Sequence, residues 1–366
     1  MPGSYRADYV GSLLRPDEVK QAKASFNAGS INADQLKEVE DKAVLERQKS
    51  IGIDVFTDGE FRRTCFQNDL VEAVERFMPS DSPAVARTWQ GTGGVPQEQE
   101  TRHVLGAKLR QTRRLTGNQT PFVMANAPGP VKVTVPSPSQ FPAISYLAGT
   151  TDQFYPTRSD LIREMAGIVK SEVAALANDG VAYIHLDAPR YGYYVDSKWK
   201  EHLRGLGEDP DRMFMEAVAA YTHCIEGVKR EWLTVTLHIC RGNNESKWYA
   251  EGGYEPIAEQ LLGSLNVDRF LLEYDTDRAG IFEPLRFVPP DKDVVLGLVS
   301  TTLAQIESQD YLLRRIEEAS QYVLLERLSL SPQCGFASTA AGNLMTEDEQ
   351  WRKLELAVET ARKVRG

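Results

Sequence analysis

Eight short apolar runs, spaced along 366 residues and mostly separated by helical patterns, constrain this chain more than any other feature. They are Tyr9–Ser12, Asp54–Asp58, Phe122–Ala127, Tyr183–Asp187, Thr234–Cys240, Phe270–Tyr274, Val294–Ser300 and Leu328–Ser331. Most are rich in Val, Ile, Leu and Phe and lack a clean in–out alternation. Strands buried on both faces read this way. Between them, residues 33–51 place Leu36, Val39 and Ala43 on one face and stop at Gly52. Residues 159–179 repeat the pattern with Leu161, Ile162, Met165, Val169, Val173 and Leu176, and stop at Gly180. Residues 211–231 form a third such helix, and the last one opens with Thr346 and Glu349 in capping-box spacing. Strand–helix alternation repeated eight times predicts a single α/β domain over residues 1–366, a (β/α)8 TIM-type barrel. The alternative, an open doubly wound sheet, has no Gly-rich phosphate fingerprint to support it.

Two stretches break the rhythm. Residues 79–120, rich in Pro, Gly, Ser, Gln and Arg, read as an insertion after the second strand, with a small hairpin around Lys108–Leu115. Residues 134–157 form a long Pro- and aromatic-rich connection, of the kind that serves or covers a site.

Charge and composition narrow the partners. A net charge of −10 argues against nucleic acid, whose phosphates want clustered Lys and Arg. No stretch reaches the roughly 18 apolar residues of a membrane span. The N-terminus has neither an apolar signal core nor an Arg-rich leader, so a cytoplasmic location is the expectation. Four cysteines in such a chain suit metal binding or core packing better than disulfides.

The polar residues fall where chemistry needs them. Ser12 follows the first run, Glu60 the second, and Asp187 ends the fourth. His238 and Cys240 end the fifth, Glu273 the sixth, and Cys334 follows the eighth. In a barrel those ends share the rim that carries active sites. His238 and Cys240, two apart on a strand, point to one face. With Glu273 and Cys334 they offer one nitrogen, two sulfurs and one carboxylate, a set that suits zinc. Spacing alone leaves a metal site and ordinary packing evenly matched. Cys224 reads as core, His223 as solvated, Cys65 as a bystander, and His185 as a packed residue pointing away from Asp187.

The segments VGSLLRP, TDGEFRR, LHICRGN, FLLEYD and LSPQCGFAST resemble the C-terminal barrel of cobalamin-independent methionine synthase, and more closely its short single-barrel relatives. The resemblance runs from about Tyr9 to the last helix, outside residues 79–120. It implies Zn2+ at His238, Cys240, Glu273 and Cys334. It implies homocysteine gripped at Gly11, Ser12, Glu60 and Asp187, with Asp187 also entering catalysis. The implied reaction is methyl transfer from a 5-methyltetrahydrofolate-type donor to the thiol, a step of methionine biosynthesis. The partners are therefore a small-molecule thiol and a methyl donor. Alternatives are alkyl transfer to another thiol, as in epoxyalkane–coenzyme M transferases, and a non-catalytic zinc-binding barrel. The chain departs from the family in three ways. The full-length enzyme has two barrels, and this chain reads as one. The family's Asp-Glu-Pro reads Asp187-Ala188-Pro189, and no histidine follows the seventh strand in LGLVSTTLAQIE.

Overall fold

A computed structural model describes residues 5–79, 87–91, 97–99 and 103–365. The first strands along the chain are antiparallel. β1 (Val74–Pro79) pairs with β4 (His103–Gln111), and β2 (Arg87–Trp89) with β3 (Gln97–Gln99). The hairpin expected around Lys108–Leu115 is thus longer and lies earlier, because Val74 pairs with Gln111. Residues 80–86, 92–96 and 100–102 of the expected insertion lie outside the described residues.

The framework is a six-stranded parallel sheet: β5 (Lys132–Pro136), β6 (Tyr183–Asp187), β7 (Thr234–Ile239), β8 (Arg269–Glu273), β9 (Asp293–Val299) and β10 (Leu328–Pro332), in that spatial order. All but the first residue of β9 are buried, which explains the near-continuous apolar runs. Helices Arg158–Asn178, Pro210–Ile225, Glu255–Leu262 and Gln309–Ser320 lie on the crossovers, and Glu347–Arg365 follows β10. On the first of these, Leu161, Met165, Val169, Val173 and Leu176 are fully buried, each contributing about 1.5–3 kcal/mol of apolar transfer. The capping box at Thr346 forms as expected: Glu349 Oε2 accepts from the Thr346 N–H at 2.7 Å, and Thr346 Oγ1 accepts from the Glu349 N–H at 3.2 Å.

Three expectations need correction. Phe122–Ala127 is not a strand: Thr120–Asn126 is a helix with Pro121 in its first turn, where a proline's missing N–H costs nothing. The strand follows at Lys132–Pro136. The first two runs, Tyr9–Ser12 and Asp54–Asp58, are not strands of the sheet either. Each segment meets one edge of it through a single parallel bridge, Ala7 to Leu330 on β10 and Phe56 to Val131 beside β5. The two segments also meet each other, since the Leu13 N–H donates to the Gly59 carbonyl at 2.9 Å. Below them, Asp8 ties the first segment to three strands. Its carboxylate accepts from Lys132 Nζ at 2.5 Å and from the Tyr183 hydroxyl at 2.6 Å, with Arg269 at 3.6 Å. All four groups are buried, so the cations must offset the desolvation of Asp8. Burial pushes the Asp8 pKa up, but Lys132 and Arg269 outweigh it and hold the carboxyl below its usual range. No helix among the described residues is long and apolar enough to cross a membrane.

Candidate active site

The parallel register brings the ends of the strands together. Asp187 on β6 is the register partner of His238 on β7, and Cys240 follows one residue after β7 ends. Cys334 arrives two residues after β10. Ligand atoms of His238, Cys240 and Cys334 lie within 4.8 Å of one another, and the two sulfurs are 3.6 Å apart. All three residues are buried.

His238 is held at both ring nitrogens. Nδ1 lies 2.7 Å from Asp187 Oδ1, and Nε2 lies 3.2 Å from the Gln333 carbonyl oxygen. Both neighbours can only accept, so both nitrogens carry protons in this arrangement. Burial opposes that charge, but the Asp187 carboxylate prevails and the pKa is pushed up to about 9. The cysteines act as a pair. The bond from the Cys334 thiol lowers the pKa of Cys240 against the cost of burial, with His238 adding to the effect. That same bond, with burial, raises Cys334. The Gly242 N–H also donates to Cys240 Sγ at 3.3 Å. The pair is thus asymmetric, with Cys240 the more acidic of the two thiols.

Glu273, the fourth residue of the expected metal set, is not in this cluster. Its Oε2 accepts from the Arg241 N–H at 2.7 Å, and its Oε1 pairs with Arg278 at 2.8 Å. It sits beside the cysteines, locked to the backbone that follows Cys240. A second group, His185, Asp187 and His238, overlaps the first. His185 therefore lies on the same side as Asp187, contrary to expectation. Residues two apart on a strand share a face, and the His185 ring packs 5.5 Å from that of His238.

Of the four expected substrate contacts, Asp187 lines the cavity at the two cysteines, and Gly11, Ser12 and Glu60 do not. Glu60 is buried, with a left-handed φ of 57°, a strain that clusters at functional sites. One carboxylate oxygen sits 3.3 Å from Arg63 Nη1, and the other has no hydrogen-bond partner. Burial raises its pKa to about 7, opposed by Arg63 and reinforced by Asp58, Asp187 and Asp69. Gly11 packs against Thr134 and Thr57, where an added Cβ would stand 3.1 Å from Thr134 Oγ1. Ser12 meets the loop of Cys334: its carbonyl accepts from the Phe336 N–H at 2.9 Å. Its hydroxyl accepts from the Ala337 N–H at 3.4 Å.

A cavity of about 40 Å³ opens onto the two cysteines. Its lining includes Asp187, Arg190, Trp89, Asn243 and Tyr249 as well as Cys240 and Cys334. Arg190, Arg278, Trp89 and Tyr249 escaped the reading of the sequence. Asn243 sits within LHICRGN, and its amide nitrogen bridges Thr301 Oγ1 at 3.0 Å and the Gly335 carbonyl at 2.9 Å, tying three rim loops together.

The family model for the cobalamin-independent synthase catalytic domain matches residues 7–363. The chain belongs to that family. It is accordingly an enzyme, a methyltransferase. An uncharacterized Bacillus subtilis protein, YxjH, is 38% identical over 98% of this chain and 94% of its own. A methionine synthase from Sulfurisphaera tokodaii is 24% identical over 89% of this chain and 84% of its own. Among solved structures, a Listeria monocytogenes protein whose name places it among vitamin-B12-independent methionine synthases aligns with a TM-score of 0.74. It is 27% identical, over 99% of this chain and 98% of that one. A B12-independent methionine synthase from Shewanella, in complex with selenomethionine, shares the fold with a TM-score of 0.71 at 18% identity, over 98% of this chain and 97% of that one. This member of the cobalamin-independent synthase family thus carries its cysteine–histidine cluster at the strand ends of a fold those proteins share.

Proposed function

We propose that this chain transfers a methyl group from a 5-methyltetrahydrofolate-type donor to the thiol of homocysteine, giving methionine. The observation that carries the reading is the convergence of His238, Cys240 and Cys334, with Asp187 orienting the imidazole. The donor set fits zinc. Two thiolates at zinc distances in a tetrahedron stand roughly 3.8 Å apart, close to the 3.6 Å between the cysteine sulfurs. His238, Cys240 and Cys334 would hold the ion. Glu273 Oε2 accepts from the Arg241 N–H and keeps a second lone pair with which it would join them. When bound, zinc supplies the positive charge that takes the proton from a thiol at neutral pH.

The chain's own residues do the rest. Asp187 fixes the His238 ring through Nδ1, which leaves Nε2, 3.2 Å from the Gln333 carbonyl oxygen, as the nitrogen that would meet the ion. Gly11, Ser12, Glu60 and Asp187 form the wall for the amino-acid part of the thiol, with the two carboxylates on the ammonium side. Asp187 then serves both the substrate and the imidazole. In the reaction a sulfur–carbon bond forms, the methyl carbon–nitrogen bond breaks, and the thiol's proton is delivered to the leaving nitrogen. We further propose that the segments at Ala7 and Phe56 complete an eight-strand barrel around the six-stranded sheet. Their bridges to opposite edges and the ties of Asp8 support this. The chain would then be one catalytic domain with the hairpins as an insertion, in the cytoplasm.

Product analysis tests the function directly: homocysteine is offered with methyl donors, including monoglutamyl and polyglutamyl methylfolate. Methionine should form, and Cys240→Ser and Cys334→Ser should each abolish it together with bound zinc. Full zinc retention in both variants would sink the metal assignment.

A further inference from the structure

Three of the segments that carry the family likeness contain residues the proposed reaction does not use, and these residues meet. VGSLLRP supplies Arg15, TDGEFRR supplies Arg63, and LSPQCGFAST ends on Thr339. Arg15 is buried, and its partners are main-chain carbonyls. Nη1 donates to the Thr339 carbonyl at 3.3 Å, and Nη2 donates to the carbonyls of Glu60, at 2.9 Å, and Arg63. One guanidinium therefore holds the loop of Glu60 and the loop of Cys334 at once. The two loops also pair directly. The Phe66 N–H donates to the Ser338 carbonyl at 3.1 Å, and the Ala340 N–H to the Thr64 carbonyl at 2.7 Å, on either side of the bridge between Cys65 and Thr339. Phe66 and Ser338 both line the cavity at the cysteines. Ser12 joins the same weave, since its carbonyl accepts from the Phe336 N–H.

Taking a guanidinium out of water is costly, and a lysine's single nitrogen could not span both loops. Glu60 shows what the fork is needed for. Its φ of 57° is a conformation that persists only where the surroundings over-determine it. Its carbonyl accepts twice, from Arg15 and from the Arg63 N–H at 3.1 Å, which fixes the main chain at that residue. Its side chain is steadied by Arg63, which Asp69 holds in turn at 2.9 Å. The remaining carboxylate oxygen is buried and has no partner. A carboxylate oxygen kept free on a braced main chain is ready for an ammonium group.

We infer that Arg15 is a positioning residue: it aims the Glu60 carboxylate and couples that side of the site to the loop carrying Cys334. An amino acid held at Glu60 is then felt at the cysteine through the main chain. This rests on the thiol-transfer reading above and adds the link between its two halves.

The test titrates L-methionine, the product of the proposed reaction, calorimetrically into the full-length protein, and measures Zn2+ affinity by chelator competition. Arg15→Lys keeps the charge and loses one arm of the fork. It should weaken methionine about 5- to 10-fold, roughly the worth of one hydrogen bond, and weaken zinc by a similar factor. In turnover, the KM for homocysteine should rise while the KM for the methyl donor stays put. In a Glu60→Ala background, Arg15→Lys should cost methionine nothing further, because Arg15 acts on the amino acid through Glu60. An equal loss in both backgrounds would make Arg15 merely structural and overturn the inference. Unchanged zinc affinity in Arg15→Lys would overturn the coupling to Cys334. If Arg15→Lys fails to fold, the wild type decides. In zinc-free protein, methionine should slow amide exchange at Phe66 and Ala340, and unaltered exchange there overturns the coupling. If methionine does not bind the wild type at all, the thiol reading fails, and the zinc affinity of Arg15→Lys still decides whether Arg15 holds the Cys334 loop.

Discussion

Asp187→Asn isolates the part of the site that depends on one proton. The carboxylate lies 2.7 Å from His238 Nδ1, at 7% exposure, so solvent screens the bond little. An asparagine keeps the shape and changes the chemistry. With its oxygen toward Nδ1 it accepts a neutral bond of roughly half the strength. With its amide toward Nδ1 it donates, which pins the proton on Nε2, the nitrogen that must face the cysteines. Either way the imidazole becomes a poorer ligand. Losing such an orienting partner typically costs 10- to 100-fold in metal affinity, or about 1.4–2.8 kcal/mol. The assay is competition for Zn2+ against a chromophoric chelator near pH 7.5, with circular dichroism as the check on folding. A zinc affinity within about twofold of wild type would refute the orienting role. A total loss of zinc, with Cys240→Ser unaffected, would instead move the metal to His185, Asp187 and His238.

Three further outcomes follow from packing and charge. Lys132→Met leaves Asp8 buried with the Tyr183 hydroxyl and the more distant Arg269 as its remaining cation, and urea unfolding should register a loss of about 3–5 kcal/mol; adding Asp8→Asn should return part of it. Gly335→Ala drives a methyl into Ser12 Oγ and should cost about 1–3 kcal/mol, relieved in the Ser12→Ala double variant; simple additivity in the cycle would reject that contact. Glu60 has its pKa raised to about 7 from 4.5, so the folded chain keeps a proton that the unfolded chain releases. Stability from this group is full below about pH 4.5 and is lost as pH rises through 7, by about 3 kcal/mol at most. Urea midpoints from pH 5 to 8 should fall less steeply in Glu60→Gln than in wild type, and parallel slopes would reject the shift.

What was legible in the sequence follows from what burial does to composition. A strand covered on both faces must be apolar throughout, and five of the six sheet strands announced themselves that way. β5 did not, because it opens with Lys132. That lysine is tolerable inside only because Asp8, 124 residues earlier, meets it; no local window contains that partner. The neighbouring apolar run at Phe122–Ala127 took its place, since a short run cannot separate strand from helix without weight on Pro121. The cluster residues were legible for a topological reason. Parallel strands deliver their C-terminal ends to one side, so His238, Cys240, Asp187 and Cys334 meet wherever the sheet forms. Their hydrogen-bond partners were not. Glu273 reads as a metal donor, and that Arg278, five residues on, pairs with one of its oxygens shows only in the fold. Arg190 reads as any surface arginine until the cavity is closed around it. Burial of a charge is a property of the assembled wall, and that wall is drawn from β2, the turn after β6 and the loop after β7 together. The residues of the cysteine–histidine cluster therefore show in the sequence, while the lining of the cavity beside it emerges only once those three segments meet.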